Sequence, residues 1–308
     1  MGQTNVLIVG GGPIGLFCAT LAKIKGLTPI LIEANAAFGG QPYMMYSQKD
    51  IHDVPGFNNI KAYQLVEKLL NQFNEQKIEH YLNCSIKTIE KSDNNYTIHL
   101  TNNKTLSVNK IIIATGIGQF IPNLLLVEPI NSTNIQYQVL NFDVYKDKKI
   151  IILGGGDSAV DWANALSTIT NKVSILHRRD EFRAHGDNVN KLKENKINIL
   201  LNKQITKIEN NVLYFKDNVT NEVSHINFDY LIVQYGQTID KTSLQVFKDL
   251  ALNQERVIVD AKQKTNLEDI YAIGDVCIYD SKPRSLVCGF GEASVAIRDI
   301  VNNTKNYV

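Results

Sequence analysis

The sequence holds only four cysteines, Cys18, Cys84, Cys277 and Cys288, and none stands in a C-x-x-C pair. Their wide separation removes zinc-site spacing and vicinal-dithiol chemistry from consideration. Cys18 falls in a stretch of helical apolar periodicity, where a thiol is a small core residue, and the other three are read as buried and inert as well. No apolar run approaches the roughly 18 residues of a membrane span. A basic segment followed by an apolar stretch and a cleavage site is also missing at the N-terminus, which runs straight into Val6–Val9. Met1-Gly2 invites an acylation reading, but Val6 stands where that motif wants Ser or Thr. A cytoplasmic protein without a membrane partner is the expectation. The formal net charge of +1 gives no global attraction to nucleic acid. Low-complexity segments and long linkers are absent too. What remains is an ordinary globular composition, 44% hydrophobic and 20% charged, in 308 residues, enough for two domains.

The apolar runs fall into a repeating order. Val6–Gly10 is a strand ending in glycines, Leu16–Lys25 has helical periodicity, and Thr28–Ile32 is a second strand that runs into Glu33. The same order returns at Lys149–Leu153, Asp157–Leu166 and Lys172–Leu176. Between the two units, Ile78–Ile113 alternates strand-like runs with turns, of which Ser92-Asp93-Asn94-Asn95 is the clearest. Ile197–Tyr235 repeats that alternation. Arg256–Asp260 and Ile270–Gly274 follow, with a last helix expected from about Gly291. The pattern predicts an α/β protein with two Rossmann-like, three-layer dinucleotide-binding domains.

Each glycine of Gly10-x-Gly12-x-x-Gly15 meets a physical demand. Gly10 makes the tight turn, Gly12 lets a pyrophosphate approach the backbone, and Gly15 lets the helix pack on the strand. The helix start, where Pro13 sets the first turn and Ile14 follows, offers free N–H groups beyond the proline and the positive end of a dipole. Glu33 lies 18 residues after Gly15, where a carboxylate accepts from ribose hydroxyls and opposes a 2′-phosphate. This site is therefore read for FAD or NAD. In the second motif, Gly154-x-Gly156-x-x-Ala159 with Asp157 and Ser158, the next strand ends in His177-Arg178-Arg179, with Arg183 close behind. Guanidinium groups grip a 2′-phosphate in bidentate fashion, so this site is read for NADPH. Spacing does not decide which arginine makes the main contact.

With these motifs the chain resembles the low-molecular-weight thioredoxin reductase superfamily, and within it the thioredoxin-reductase-like (type 2) ferredoxin–NADP⁺ reductases. The likeness runs nearly end to end. It includes Gly39-Gly40-Gln41, Asp53-Val54-Pro55-Gly56-Phe57, Ala114-Thr115-Gly116, Gly154–Ala163, His177–His185, Gly274-Asp275 and Gly289-Phe290-Gly291-Glu292-Ala293. The resemblance implies an FAD domain built from residues 1–115 and 243–308, with an NADPH domain, 116–242, inserted in it. It adds Gly40, Gln41, Ala114, Gly116, Asp275, Glu292 and Ala293 to the FAD residues, with Gly291–Ala293 opening the last helix beneath the flavin. It also places Tyr46 against the flavin ring.

The implied activity is an FAD-dependent oxidoreductase that takes hydride from NADPH and passes electrons singly to ferredoxin or flavodoxin, working as a homodimer. No side chain is expected to act as a catalytic acid, base or nucleophile, because the cofactors carry the chemistry, and no metal is expected. A dithiol thioredoxin reductase is excluded, since Ile117–Lys149 holds no cysteine. Relatives of this type usually carry an extension that covers the flavin face. This sequence ends 16 residues beyond Glu292, so that cover is expected to be missing. The missing cover keeps an alternative open: a reductase of a quinone or low-molecular-weight disulfide, or a diaphorase. A non-catalytic flavin sensor would leave two complete nucleotide motifs unexplained. Arg183, Lys191, Lys193, Lys282 and Arg284 are the candidate cations for docking an acidic carrier.

Overall fold

The structure is a computed structural model that describes residues 4–93, 95–127, 134–139 and 142–305. The chain forms two compact units, Met1–Phe120 with Ile239–Val308, and Ile121–Thr238. Along the chain, β1 (Asn5–Val9), α1 (Pro13–Ile24) and β2 (Thr28–Ile32) are followed by α2 (Ala62–Glu75), β3 (Glu79–Tyr81) and β4 (Lys110–Ile113). Then come β5 (Ile135–Gln136), β6 (Ile150–Leu153), α3 (Asp157–Leu166), β7 (Val173–Leu176), β8 (Asn198–Leu200) and β9 (Tyr230–Val233). The chain returns to the first unit with β10 (Ile270–Ala272) and α4 (Leu286–Lys305).

Each unit is built on a five-stranded sheet, in the order β10-β4-β1-β2-β3 in the first and β5-β9-β6-β7-β8 in the second. Every pairing in both sheets is parallel. Parallel sheets are covered on both faces, which is why their strands read as unbroken apolar runs. Side chains alternate across the sheet. In the first unit, Val6 and Ile8 join a core with Leu16, Ala19, Leu65, Phe73 and Ile297 from α1, α2 and α4. Leu7 and Val9 point the other way, to Ile98, Leu100 and Val108 of an antiparallel three-stranded sheet. The second unit repeats the split: Ile150 and Ile152 pack with Val160 and Ala163 of α3, while Ile151 and Leu153 meet Ile208, Leu213 and Phe215 of another such sheet. Both units thus have three layers: helices, parallel sheet, antiparallel sheet.

Two features differ from the sequence expectation, and one expected turn is present. The 14-residue helix α2 is additional; its buried Leu65, Val66, Leu69 and Phe73 recur at helical spacing. α4 opens at Leu286, five residues before the expected Gly291. The turn expected at Ser92–Asn95 is closed by the Ser92 N–H donating to the Asn95 carbonyl at 2.9 Å, with Asn94 outside the described residues. Among the described residues no helix is long and apolar enough to cross a membrane.

Ile8 and Ile152 occupy matching places in the two sheets, and both are fully buried. Ile8→Ala and Ile152→Ala are each expected to lower the unfolding free energy by about 2–5 kcal/mol in urea denaturation. A loss below about 0.5 kcal/mol, the level of a surface change, would mean that the site is not packed as described.

Candidate dinucleotide sites

The first glycine loop is shaped by contacts that leave one side open. Gly10, at φ +109°, donates to the Ile32 carbonyl at 2.8 Å, and a Cβ there would lie 2.5 Å from the Ala114 carbonyl oxygen. A Cβ on Gly15 would lie 1.9 Å from the Gly10 carbonyl oxygen, so α1 rests directly on the turn. A Cβ on Gly12 would find nothing nearer than the Gly40 Cα at 3.8 Å, so the backbone is bare there. The loop is closed by the Gly39 N–H donating to the Gly11 carbonyl at 2.9 Å. Pro13 begins α1, and no side chain caps its first N–H groups.

Glu33 is buried at the end of β2. Its Oε2 accepts from the Gly11 N–H at 2.7 Å and its Oε1 from the Asn35 N–H at 2.8 Å. Burial pushes this carboxyl above the usual carboxylate range, and the backbone hydrogen bonds pull against that shift.

These residues bound a cavity of about 800 Å³ that lies wholly in the first unit. Gly10, Gly12, Pro13, Ile14 and Glu33 line one part of it. Gly40, Gln41, Tyr46, Ala114, Gly116 and Asp275 line the rest. Tyr46 is half-buried; burial raises its hydroxyl pKa, and the carboxylates of Asp275 and Asp53 add to the effect. Asp275 is raised by burial, with the Lys282 ammonium opposing and Glu292 adding. The volume falls in the range of roughly 300–1,000 Å³ typical of ligand sites. The bare backbone at Gly12 and the uncapped helix start suit a pyrophosphate.

Three expected residues stand elsewhere. Gly15 packs beneath the loop, while Glu292 and Ala293 are buried and absent from the cavity wall. Because α4 already begins at Leu286, the N–H groups of Gly291–Ala293 lie inside the helix and do not open it. The helix start that does border the cavity is at Arg284, Ser285 and Leu286. One expected surface cation is reassigned: the Lys282 side chain is buried in an ion pair with Glu292, whereas Arg183, Lys191, Lys193 and Arg284 are exposed, Arg284 at the cavity border. Neighbouring charge decides this: a lysine is buried only where a carboxylate meets it. In the sequence that partner lies ten residues away.

The second loop repeats the first at a constant offset of 144 residues, from Gly10, Gly11 and Gly12 to Gly154, Gly155 and Gly156. Gly154, at φ +148°, donates to the Leu176 carbonyl at 3.1 Å, and around Gly156 a Cβ would meet nothing within 4 Å. The closing bond also recurs, from the Arg183 N–H to the Gly155 carbonyl at 2.7 Å. Asp157 caps the following turn by accepting from the His185 N–H at 3.0 Å; Ser158 is exposed in the first turn of α3, and Ala159 is buried under it.

At the strand end the two loops diverge. His177 takes the place of Glu33, buried, with its ring against Gly155 and stacked on Phe182 at 5.8 Å. Its Nε2 has no hydrogen-bond partner. Burial lowers its pKa, and Arg179, Arg183 and Arg178 lower it further, so the imidazole is neutral at pH 7. Those three arginines are exposed and form no ion pair among the described residues. The chain has only six arginines, so half of them stand in this one segment. No cluster suited to a metal ion occurs among the described residues.

Residues 4–299 match the family described as pyridine nucleotide-disulphide oxidoreductase. A protein of Malacoplasma penetrans named ferredoxin–NADP reductase is 37% identical, over 98% of this chain and 98% of that one. A protein of Streptococcus sanguinis with the same name is 37% identical, over 97% of this chain and 94% of that one. Among solved structures, the thioredoxin reductase of Lactococcus lactis aligns with a TM-score of 0.62 and 23% identity, covering 99% of this chain and 100% of that chain, a likeness of fold.

The His177 environment carries a signed pH dependence. Its folded pKa lies below the unfolded value of about 6.5. Between the two values the unfolded chain binds more protons, so this residue's contribution to stability falls as pH drops. The unfolding free energy of the native protein relative to His177→Gln is expected to fall steadily from about pH 7.5 to about pH 5.5. A difference that stays constant over that range would contradict the burial described for the ring.

Proposed function

Because this chain belongs to the pyridine nucleotide-disulphide oxidoreductase family, we propose that it is an FAD-dependent reductase that draws electrons from NADPH and delivers them singly to ferredoxin. The observation that carries the reading is the pair of glycine loops with the same backbone and opposite strand-end chemistry. Glu33 suits ribose hydroxyls, whereas a neutral His177 with three unpaired arginines suits a 2′-phosphate. FAD when bound supplies the change from two-electron to one-electron transfer, which no side chain provides.

On this reading the unit Met1–Phe120 with Ile239–Val308 holds FAD and the unit Ile121–Thr238 holds NADPH. The bare backbone at Gly12 and the start of α1 receive the FAD pyrophosphate, and Glu33 accepts from its adenosine ribose. Asp275, Gln41 and the start of α4 border the far part of the cavity, and Tyr46 supplies a ring for stacking. Gly156 and the start of α3, with Asp157 and Ser158, receive the NADPH pyrophosphate. The dithiol route of thioredoxin reductase is closed, since Ile117–Lys149 lacks cysteine and all four thiols are free. The proposal has a cytoplasmic homodimer, with flavodoxin as an alternative carrier and the exposed Arg183, Lys191 and Lys193 as docking cations.

Anaerobic rapid mixing tests this reading. NADPH is expected to bleach the bound flavin much faster than NADH does, and oxidised ferredoxin to restore the absorbance through many turnovers. Bleaching without reoxidation by ferredoxin or flavodoxin would overturn the carrier and leave a small-molecule reductase. Losing a charge-assisted contact removes about 1.5–3 kcal/mol. Arg179→Ala or Arg183→Ala is therefore expected to raise the KM for NADPH roughly 10- to 100-fold while barely moving that for NADH. Equal effects on both nucleotides would remove the arginines from 2′-phosphate binding.

A further inference from the structure

Behind the cavity wall the structure holds a buried charge pair that the proposed chemistry does not use. The Lys282 and Glu292 side chains are 4% and 3% exposed and form an ion pair. Glu292 Oε2 also accepts from the Gly274 N–H at 2.6 Å, and Oε1 accepts from the Tyr279 hydroxyl at 2.9 Å. The Cys288 thiol approaches Oε1 at 3.3 Å and the Cys277 thiol approaches Oε2 at 3.7 Å. Lys282 Nζ lies 3.3 Å from Cys277 Sγ and 5.0 Å from the centre of the Tyr279 ring. These groups, with Asp275, are the titratable side chains facing the pair.

The pair holds one end of a stretch of wall, through the Gly274 N–H, and lies between two lining segments in the sequence. Gly274 and Asp275 line the cavity on one side of it, and Arg284, Ser285 and Leu286 line it on the other. The second side is fixed by contact between helices: a Cβ on Gly289 would lie 2.6 Å from Ile14 Cδ1. A buried ion pair adds little net stability, and apolar residues of similar volume fill such a place as well or better. What an apolar pair lacks is an acceptor for the Gly274 N–H and a charge beside Asp275. Burial works against the Lys282 ammonium, but Glu292 outweighs it and holds the lysine pKa above its ordinary value. Burial, followed by Glu292, pushes the Cys277 thiol up to about 12, so the thiol stays protonated.

We propose that Lys282 and Glu292 are positioning residues for the flavin: their hydrogen bonds fix the Gly274–Asp275 turn, and their balanced charges set the field at the cavity wall. This inference rests on the reading that the cavity holds FAD. Reduction adds negative charge to the flavin, so an unbalanced cation here favours the reduced form and an unbalanced anion the oxidised form.

The test is the flavin midpoint potential, measured against the native protein at the same pH. Glu292→Gln is read at about pH 6, near the low end for a buried unpaired lysine, and Lys282→Met at about pH 9, above nearly all buried carboxyls. The Lys282→Met/Glu292→Gln double variant is read at both. The single variants are expected to shift the potential in opposite directions, upward for Glu292→Gln and downward for Lys282→Met. The double variant, which carries neither charge, keeps the protein foldable and is expected to fall between them. Shifts of the same sign, or none, would overturn the inference and leave a purely structural pair. A native protein purified without flavin and unable to take it up would instead bring down the FAD reading beneath it.

Discussion

One backbone hydrogen bond in each unit decides whether the strand-to-helix turn is available to a ligand. The Gly39 N–H meets the Gly11 carbonyl, and the Arg183 N–H meets the Gly155 carbonyl, at 2.9 and 2.7 Å. Buried backbone groups need partners. This bond satisfies the loop carbonyl, and helix geometry leaves the N–H groups at the helix start as the unpaired side of the loop. The helix dipole then favours an anion there. The rest of each unit serves this arrangement: a parallel sheet packed on both faces, a helix resting on the turn, and a segment after the second strand that folds back to close the loop.

With the scaffold duplicated, selectivity falls to the few side chains that differ. The 144-residue offset carries Glu33 onto His177, Phe38 onto Phe182 and Gly39 onto Arg183. The first unit places a carboxylate whose oxygens already hold two backbone N–H groups. The second places an uncharged ring in the same corner and three guanidinium groups beyond it. A carboxylate next to a 2′-phosphate would be repelled, while guanidinium forks match it in geometry and charge. On the proposed reading, two dinucleotides of different charge are sorted in this way to two copies of one framework.

The strands and glycine loops were legible because their signals are local. Apolar runs such as Ile150–Leu153 mark strands buried on both faces, and Gly10 and Gly154 stand where φ is positive. Elements whose signals come from packing were not. The last helix is expected from about Gly291, yet Gly289 and Gly291 both lie inside it, and at Gly289 a side chain would collide with Ile14. α2 lies outside the two strand–helix–strand units, although Leu65, Val66, Leu69 and Phe73 stand at the spacing of an amphipathic helix. Lys282 read as a solvated cation, since its burial depends on Glu292 in the next helix. Sequence order does not show that a charge will be neutralised across a turn.

The central claim is that the second glycine loop is built for a 2′-phosphate and the first is not. Titration calorimetry of the flavin-loaded protein with adenosine 2′,5′-bisphosphate and with adenosine 5′-monophosphate tests it most directly, because neither ligand carries the reactive ring. The account predicts that the bisphosphate binds on the order of 10- to 100-fold more tightly, and that the advantage shrinks as salt is raised. Equal affinity for the two ligands would contradict it.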